Sequence, residues 1–516
     1  MAAENDYKDH GAMGAKFSHP EHLETAREEA LHHGCLSAEE LEIEKKLRRK
    51  IDMRIMPVLI LIYLMNYIDR NNYAAARLQG LEKDLGLVGS QYQTALSILF
   101  VGYILMQVPS NIILNWVGRP SLYLGCATIA WGLVSTLTSQ VHNYQGIVVA
   151  RFFLGIVEAP FFPGSLFYLS KWYTKEELAK RNAIFFAGSL VSGAFGNLIA
   201  AGILSGLDGS LGLAAWKWLY ILEGAITMAV GIAAIFILPD FPETWKGLQP
   251  EMKRVALRRL AIDAAEADVD EAGGMSQIKG MKLAFTDPKT YILALAYMGI
   301  TGSAGFQNFF PTLTGTLGYG RVISLLLVAP PYVFMVFYSY GHCYLSDHLG
   351  NRFWFLTYPV FVSIVGFLVF MFTDDFGPRY FSFFLMNFVF AQNGTIYAWI
   401  SNAIPRPPAK RAAALAFINS IGNSASIWTP FTYFPSSKPH YRPALGVCIG
   451  LQVLSLACFV GMRFYLQAQN RQMAKMENEN TELTEKDMKK LRETAELEGV
   501  DVAAARVLQK GYRYMI

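Results

Sequence analysis

Apolar runs about twenty residues long, separated by isolated charges, fill most of residues 51–466. No Asp, Glu, Lys or Arg falls between Asp84 and Arg119, between Arg119 and Arg151, or between Arg181 and Asp208. The same holds from Glu223 to Asp240, Lys289 to Arg321, Arg321 to Asp347 and Arg352 to Asp374. It holds again from Arg379 to Arg406, Arg411 to Lys438 and Arg442 to Arg463. Two further apolar stretches carry internal charge: Ile55–Ala76 holds Asp69 and Arg70, and Val148–Ser170 holds Arg151 and Glu158. A hydrocarbon layer of about 30 Å takes roughly twenty helical residues, and a helix satisfies its own backbone hydrogen bonds there. The ten charge-free windows and the two charged ones therefore predict an all-α membrane protein of twelve transmembrane helices, spans 1–12 in chain order.

The polar segments divide this pattern. Residues 1–50 have no apolar core of the kind a signal peptide needs, so they read as a solvated tail, with span 1 beginning near Ile55. Residues 240–289 interrupt the apolar rhythm with Pro242 and Pro250 and contain an amphipathic helical pattern over Glu251–Ala267. The predicted layout is a tail (1–50), a six-helix bundle (51–239), a central loop (240–289), a second six-helix bundle (290–466) and a charged tail (467–516). Lys45, Lys46, Arg48, Arg49 and Lys50 precede span 1, and Lys253, Arg254, Arg258 and Arg259 lie in the central loop. The positive-inside rule puts both on the cytoplasmic side, and an even number of spans returns the C-terminus there. Trp116–Ser121 after span 2 and Asp347–Arg352 after span 8 are matching glycine turns, their glycines 232 residues apart. That offset fits two parallel six-helix repeats, a build that seats substrate at the midplane between them; the competing reading is that short cytoplasmic turns simply favour Gly and Arg.

Composition narrows the class. The chain is 53% hydrophobic and 17% charged, whereas soluble domains carry roughly 25% charge. A soluble enzyme is disfavoured. A net charge of +4 over 516 residues gives no basic field for nucleic acid, and five cysteines make no disulfide scaffold. There is no GxxxxGK[ST], HExxH, CxxC or histidine cluster, so neither ATP hydrolysis, a metal nor a cofactor is expected. Asn393-Gly-Thr395 matches a glycosylation acceptor but lies inside span 10.

Charge inside a membrane costs roughly 2.5–3.5 kcal/mol or more per group, so each one needs a reason. Arg151 and Glu158 are seven residues apart, two helical turns and about 10 Å along one face. With Asp69 and Arg70 they form a sign-balanced set on spans 1 and 4, expected to face a shared wet cleft. The carboxyls Asp69 and Glu158 suit proton exchange, and the guanidiniums of Arg70 and Arg151 suit a carboxylate substrate. The competing reading is a set of salt bridges that locks the two helices. Gln307, Asn308, Asn393, Asn419 and Asn423 are candidate substrate contacts from the second half, or interhelical hydrogen-bonding groups. Phe306, Phe309, Phe310, Tyr338, Tyr340 and Tyr397 read as packing or interfacial aromatics. Gly188, Gly193, Gly196 and Gly422 read as close-approach positions, and Pro160 and Pro163 as a bend in span 4.

Four stretches carry a resemblance. Asn66-Tyr-Ile-Asp-Arg-Asn-Asn72, Gly102-Tyr-Ile-Leu-Met-Gln-Val-Pro-Ser-Asn111, the Arg151–Pro163 run and Leu238-Pro-Asp-Phe-Pro-Glu-Thr-Trp245 resemble the anion:cation symporter family of the major facilitator superfamily. More narrowly they are similar to its fungal allantoate/nicotinate permease branch, and Gly511–Ile516 resembles endings common there. The resemblance implies proton-coupled movement of a small organic anion by alternating access, with Asp69, Arg70, Arg151 and Glu158 in protonation and anion binding. Nicotinate, allantoate, pantothenate and similar carboxylates fit that class. The expected form is a monomer in the plasma membrane. The superfamily's gating ion pair is incomplete after span 2, where Arg119 has no acidic neighbour, but Asp347 and Arg352 keep both partners after span 8. After span 10, Ala403–Arg411 replaces a glycine-containing stretch. Export of an acidic metabolite by the same machinery, or a sensor that binds without translocating, are the alternative functions.

Overall fold

The computed structural model describes residues 37–268, 277–404, 408–477 and Tyr514. Its helices follow the twelve windows. In the first half they are Ala38–Leu78, Gln91–Val117, Pro120–Thr138, Tyr144–Glu158 with Phe161–Ser170, Lys175–Leu207 and Ala215–Ile237. In the second half span 7 is Pro288–Ala304 continued through the 3-10 turn Gly305–Phe309, and span 8 is Arg321–Leu326 with Ala329–His348. Spans 9 to 12 are Phe353–Phe372, Phe376–Met386 with Ala391–Ala403, Pro408–Trp428 and Arg442–Glu477. Among the described residues, seven helices are long and apolar enough, by length and composition, to cross a membrane. Several of the other spans are interrupted or polar for a reason. Spans 7 and 10 break into 3-10 turns at Gly305 and Asn387, and span 2 carries Pro109. Such breaks are tolerated at membrane depth where neighbouring helices resatisfy the backbone. The bend expected in span 4 lies where the helix ends at Glu158 and resumes at Phe161.

Span 1 starts earlier than its hydropathy indicates. Its helix opens at Ala38 on a capping box, in which Ser37 Oγ accepts the Glu40 N–H (3.3 Å) and Glu40 accepts the Ser37 N–H (2.9 Å). Leu47 and Ile51 are buried with Ala256 of the helix Pro250–Asp268, which covers the predicted amphipathic segment. Ion pairs hold that helix down: Arg258 to Glu40 at 2.7 Å, and Arg259 to Glu177 at 3.2 Å and Glu44 at 3.4 Å. Arg259 also donates to the Trp172 carbonyl. Removing one partner from a buried ion network costs about 3–5 kcal/mol, because the other charges stay behind. Arg259→Ala is therefore expected to lower the thermal unfolding temperature in detergent clearly. Lys45→Ala, which breaks only the exposed pair with Glu42, is expected to leave it unchanged.

The two glycine turns share a backbone conformation. Gly118 and Gly350 both adopt left-handed φ, 64° and 60°, a conformation that costs other residues about 1–2 kcal/mol. The halves meet at the end remote from the Pro250–Asp268 helix. There Gln93 Nε2 donates to the Tyr433 carbonyl at 3.0 Å, the Tyr92 and Phe309 rings meet edge-on at 6.0 Å, and Tyr332 fills the space over Gly193. One apolar core joins both halves at this end and includes Tyr92, Trp216, Phe309 and Tyr433. A second, with Leu47, Trp131, Trp172 and Phe185, belongs to the first half.

Candidate functional site

Asp69 and Arg70 are neighbours on span 1, so their side chains leave the helix about 100° apart. The structure separates them accordingly. Asp69 turns into the bundle, is 1% exposed, and accepts a hydrogen bond from Ser135 Oγ of span 3 at 2.9 Å. Arg70 turns toward span 4, where its Nε donates to Glu158 Oε2 at 2.9 Å. The Arg70 side chain keeps 16% of its exposure while Glu158 has none. Its guanidinium lies 4.6 Å from the Tyr103 ring centre and 5.7 Å from that of Tyr67, a geometry in which ring quadrupoles attract a cation.

Arg151 follows a different course from Glu158 despite sharing its helix. It is 1% exposed, lies 4.6 Å over the Tyr73 ring, and its Nε points to the Ala95 carbonyl at 3.5 Å. The four charges all point inward. Only Arg70 of the four has appreciable access, so the shared wet cleft expected for all of them narrows to one guanidinium backed by one carboxylate. Asp69 and Arg151 sit in the seams of the first bundle.

The second half supplies a hydroxyl–amide cluster. The Tyr397 hydroxyl lies 2.8 Å from that of Tyr297 and 3.1 Å from Asn419 Oδ1, which also accepts from Asn423 Nδ2 at 3.2 Å. Tyr67 and Tyr103 lie within electrostatic reach of Tyr297, as Tyr67 does of Tyr397. The Arg70 aromatic seat and this cluster therefore face one another across the two halves. Gly422 makes room for it: a Cβ there would lie 2.2 Å from the Tyr297 ring.

Other predicted positions fall elsewhere. Gln307 and Asn308 immediately precede Phe309 in the 3-10 turn that meets Tyr92 of the first half, about 15 Å further along span 7 than Tyr297. Asn393 Oδ1 is buried without a hydrogen-bond partner. Arg119 is exposed at the start of span 3. Arg352 is buried and donates to Ser346 Oγ at 3.0 Å. The side chain of Asp347, its expected gating partner, lies outside the described residues. Sequence reasoning missed Tyr67, Tyr103 and Tyr297. Tyr67 and Tyr103 lie within the two resemblance stretches of spans 1 and 2, but nothing in spacing alone separates them from the chain's 24 other tyrosines.

A polar, partly accessible seat between two six-helix halves is the arrangement of a multi-pass secondary transporter. The sequence profile of the Major Facilitator Superfamily matches residues 59–430. An MFS-type transporter of Penicillium expansum, cnsO, is 36% identical over 425 residues, covering 80% of this chain and 81% of that protein. An uncharacterized transporter of Schizosaccharomyces pombe is 33% identical, covering 83% and 87%. Among solved structures, a D-xylose-proton symporter superposes with a TM-score of 0.63 at 15% identity, over 80% of this chain and 97% of that one. The chain belongs to the major facilitator superfamily.

Proposed function

We propose that this transporter moves a small organic anion together with a proton, inward across the plasma membrane, with both termini cytoplasmic. The observation that carries the reading is the Arg70–Glu158 pair at 2.9 Å, aimed from the first half toward the Tyr297–Asn419 cluster. A substrate carboxylate and the Glu158 carboxylate compete for one guanidinium. Protonating Glu158 removes its charge, frees the Arg70 donors for the anion, and so ties each anion bound to a proton taken up. Release of that proton restores the pair and expels the anion, which is symport by mutual exclusion. The surrounding tyrosines favour a planar acid of the nicotinate kind, and Asn419 and Asn423 offer hydrogen bonds to its far end. Asp69 and Arg151 shape the field behind the pair from within the bundle.

Uptake of labelled nicotinate, allantoate and pantothenate by cells carrying the protein tests this. One of them is expected to accumulate when the outside is made acidic, and Arg70→Ala is expected to abolish it at normal surface expression. Accumulation on the outside under the same gradient would instead mark an exporter. Unchanged uptake in Arg70→Ala would end the anion assignment.

A further inference from the structure

Glu223 lies in span 6, outside the pair described above. It is 2% exposed, and neither of its carboxyl oxygens has a hydrogen-bond partner. Tyr220 and Thr227, three residues before and four after it, share its helix face. Their hydroxyls are likewise buried without partners. Three unsatisfied polar groups in a row along one helix face are unusual, since the large majority of buried polar atoms are paired. A carboxyl so placed, with no donor and no cation bonded to it, is costly as an anion, so its resting form holds a proton.

The neighbours of Glu223 connect it to span 1. Gly224 packs directly on span 3: a Cβ there would lie 2.2 Å from Thr136 Oγ1 and 2.6 Å from the Gly132 carbonyl. Ser135 of that same turn of span 3 donates to Asp69. Asp69 Oδ2, the other oxygen, has no partner. Asp69 is also the charged group that acts electrostatically on Glu223, and Arg151, Tyr92 and Asp69 act on Tyr220. The two carboxyls thus approach the same turn of span 3, and Glu158 and Arg151 also act electrostatically on Asp69.

We propose that Glu223 is a second proton-carrying carboxyl, exchanging its proton with Asp69 across the turn of span 3 that both approach. In that exchange the O–H bond at Glu223 breaks and one forms at Asp69 Oδ2. The negative charge passes the other way, and no other bond changes. This rests on the proton-coupled reading above, and it adds a proton store that the substrate does not touch.

Infrared difference spectroscopy of the full-length protein in lipid, in H2O and in D2O, reads the carboxyl directly and needs no substrate. A protonated-carboxyl carbonyl band that shifts in D2O is expected at neutral pH. Glu223→Gln should remove it, Glu223→Asp should move it, and Glu158→Gln should leave it in place. Asp69→Asn should change its frequency, because the proton's exchange partner is gone. A band unchanged in Glu223→Gln, or unaffected by Asp69→Asn, overturns the inference. If the band behaves as expected while uptake proves independent of pH, the symport reading falls and the protonated Glu223 stands.

Discussion

Glu158→Gln is expected to retain exchange of labelled substrate across the membrane while losing accumulation against a gradient and all dependence on external pH. The amide has the shape of the protonated acid and no charge, so it holds Arg70 permanently in its released state. Anion binding then no longer waits for a proton. Arg70→Ala is expected to act oppositely and more severely, since it removes the guanidinium and leaves Glu158, with no exposure of its own, without its cation. Truncating one member of a buried charge pair costs about 2–5 kcal/mol, and at about 3 kcal/mol the loss in affinity is roughly a hundredfold. Counterflow and pH-jump uptake in proteoliposomes separate the two variants. A Glu158→Gln protein that still accumulates substrate in response to a pH gradient would show that the proton travels by another group.

Gly155→Ala is expected to be the most damaging single-methyl change. A Cβ at Gly155 would lie 2.0 Å from the Leu99 carbonyl oxygen, and one at Gly102 would lie 2.4 Å from the Phe152 carbonyl. Both obstacles are backbone, so no side-chain rotation relieves them, and spans 2 and 4 must move apart. Overpacking of this kind costs about 1–3 kcal/mol. It also displaces Glu158, three residues along the same helix, from Arg70. The expected signature is a lower unfolding temperature together with reduced uptake at equal surface expression. Gly206→Ala, where a Cβ meets nothing within 4 Å, is the control and should behave as wild type.

The membrane architecture was legible in the sequence because charge in hydrocarbon is so costly that its absence is visible in ten of the twelve windows. Asp69, Arg70, Arg151 and Glu158 stood out by the same rule, as exceptions to it. Their division of labour did not stand out. Adjacent numbering placed Asp69 with Arg70, and the seven-residue spacing placed Arg151 with Glu158. The helix rotation and the choice of packing partner instead join Arg70 to Glu158 and send Asp69 to Ser135. Gln307 and Asn308 looked like their counterparts in the second half, yet they belong to a seal, because depth along a broken helix is not read from residue type. Glu223 was visible only as the edge of a window, since a carboxyl near an expected boundary looks like a solvated end until the helix is seen to start at Ala215.

By itself the sequence determined how many times the chain crosses the bilayer and the four charges that had to be shielded. These follow from one-dimensional rules, since hydrophobic length and the cost of a buried ion depend on residue type. Tertiary structure alone decided which charge meets which, that Tyr67 and Tyr103 form the seat beneath Arg70, and that the halves close where Tyr92 and Gln93 meet Phe309 and Tyr433. Those outcomes depend on helix rotation and on close approach at Gly155 and Gly422, and both are set by packing between segments far apart in the chain.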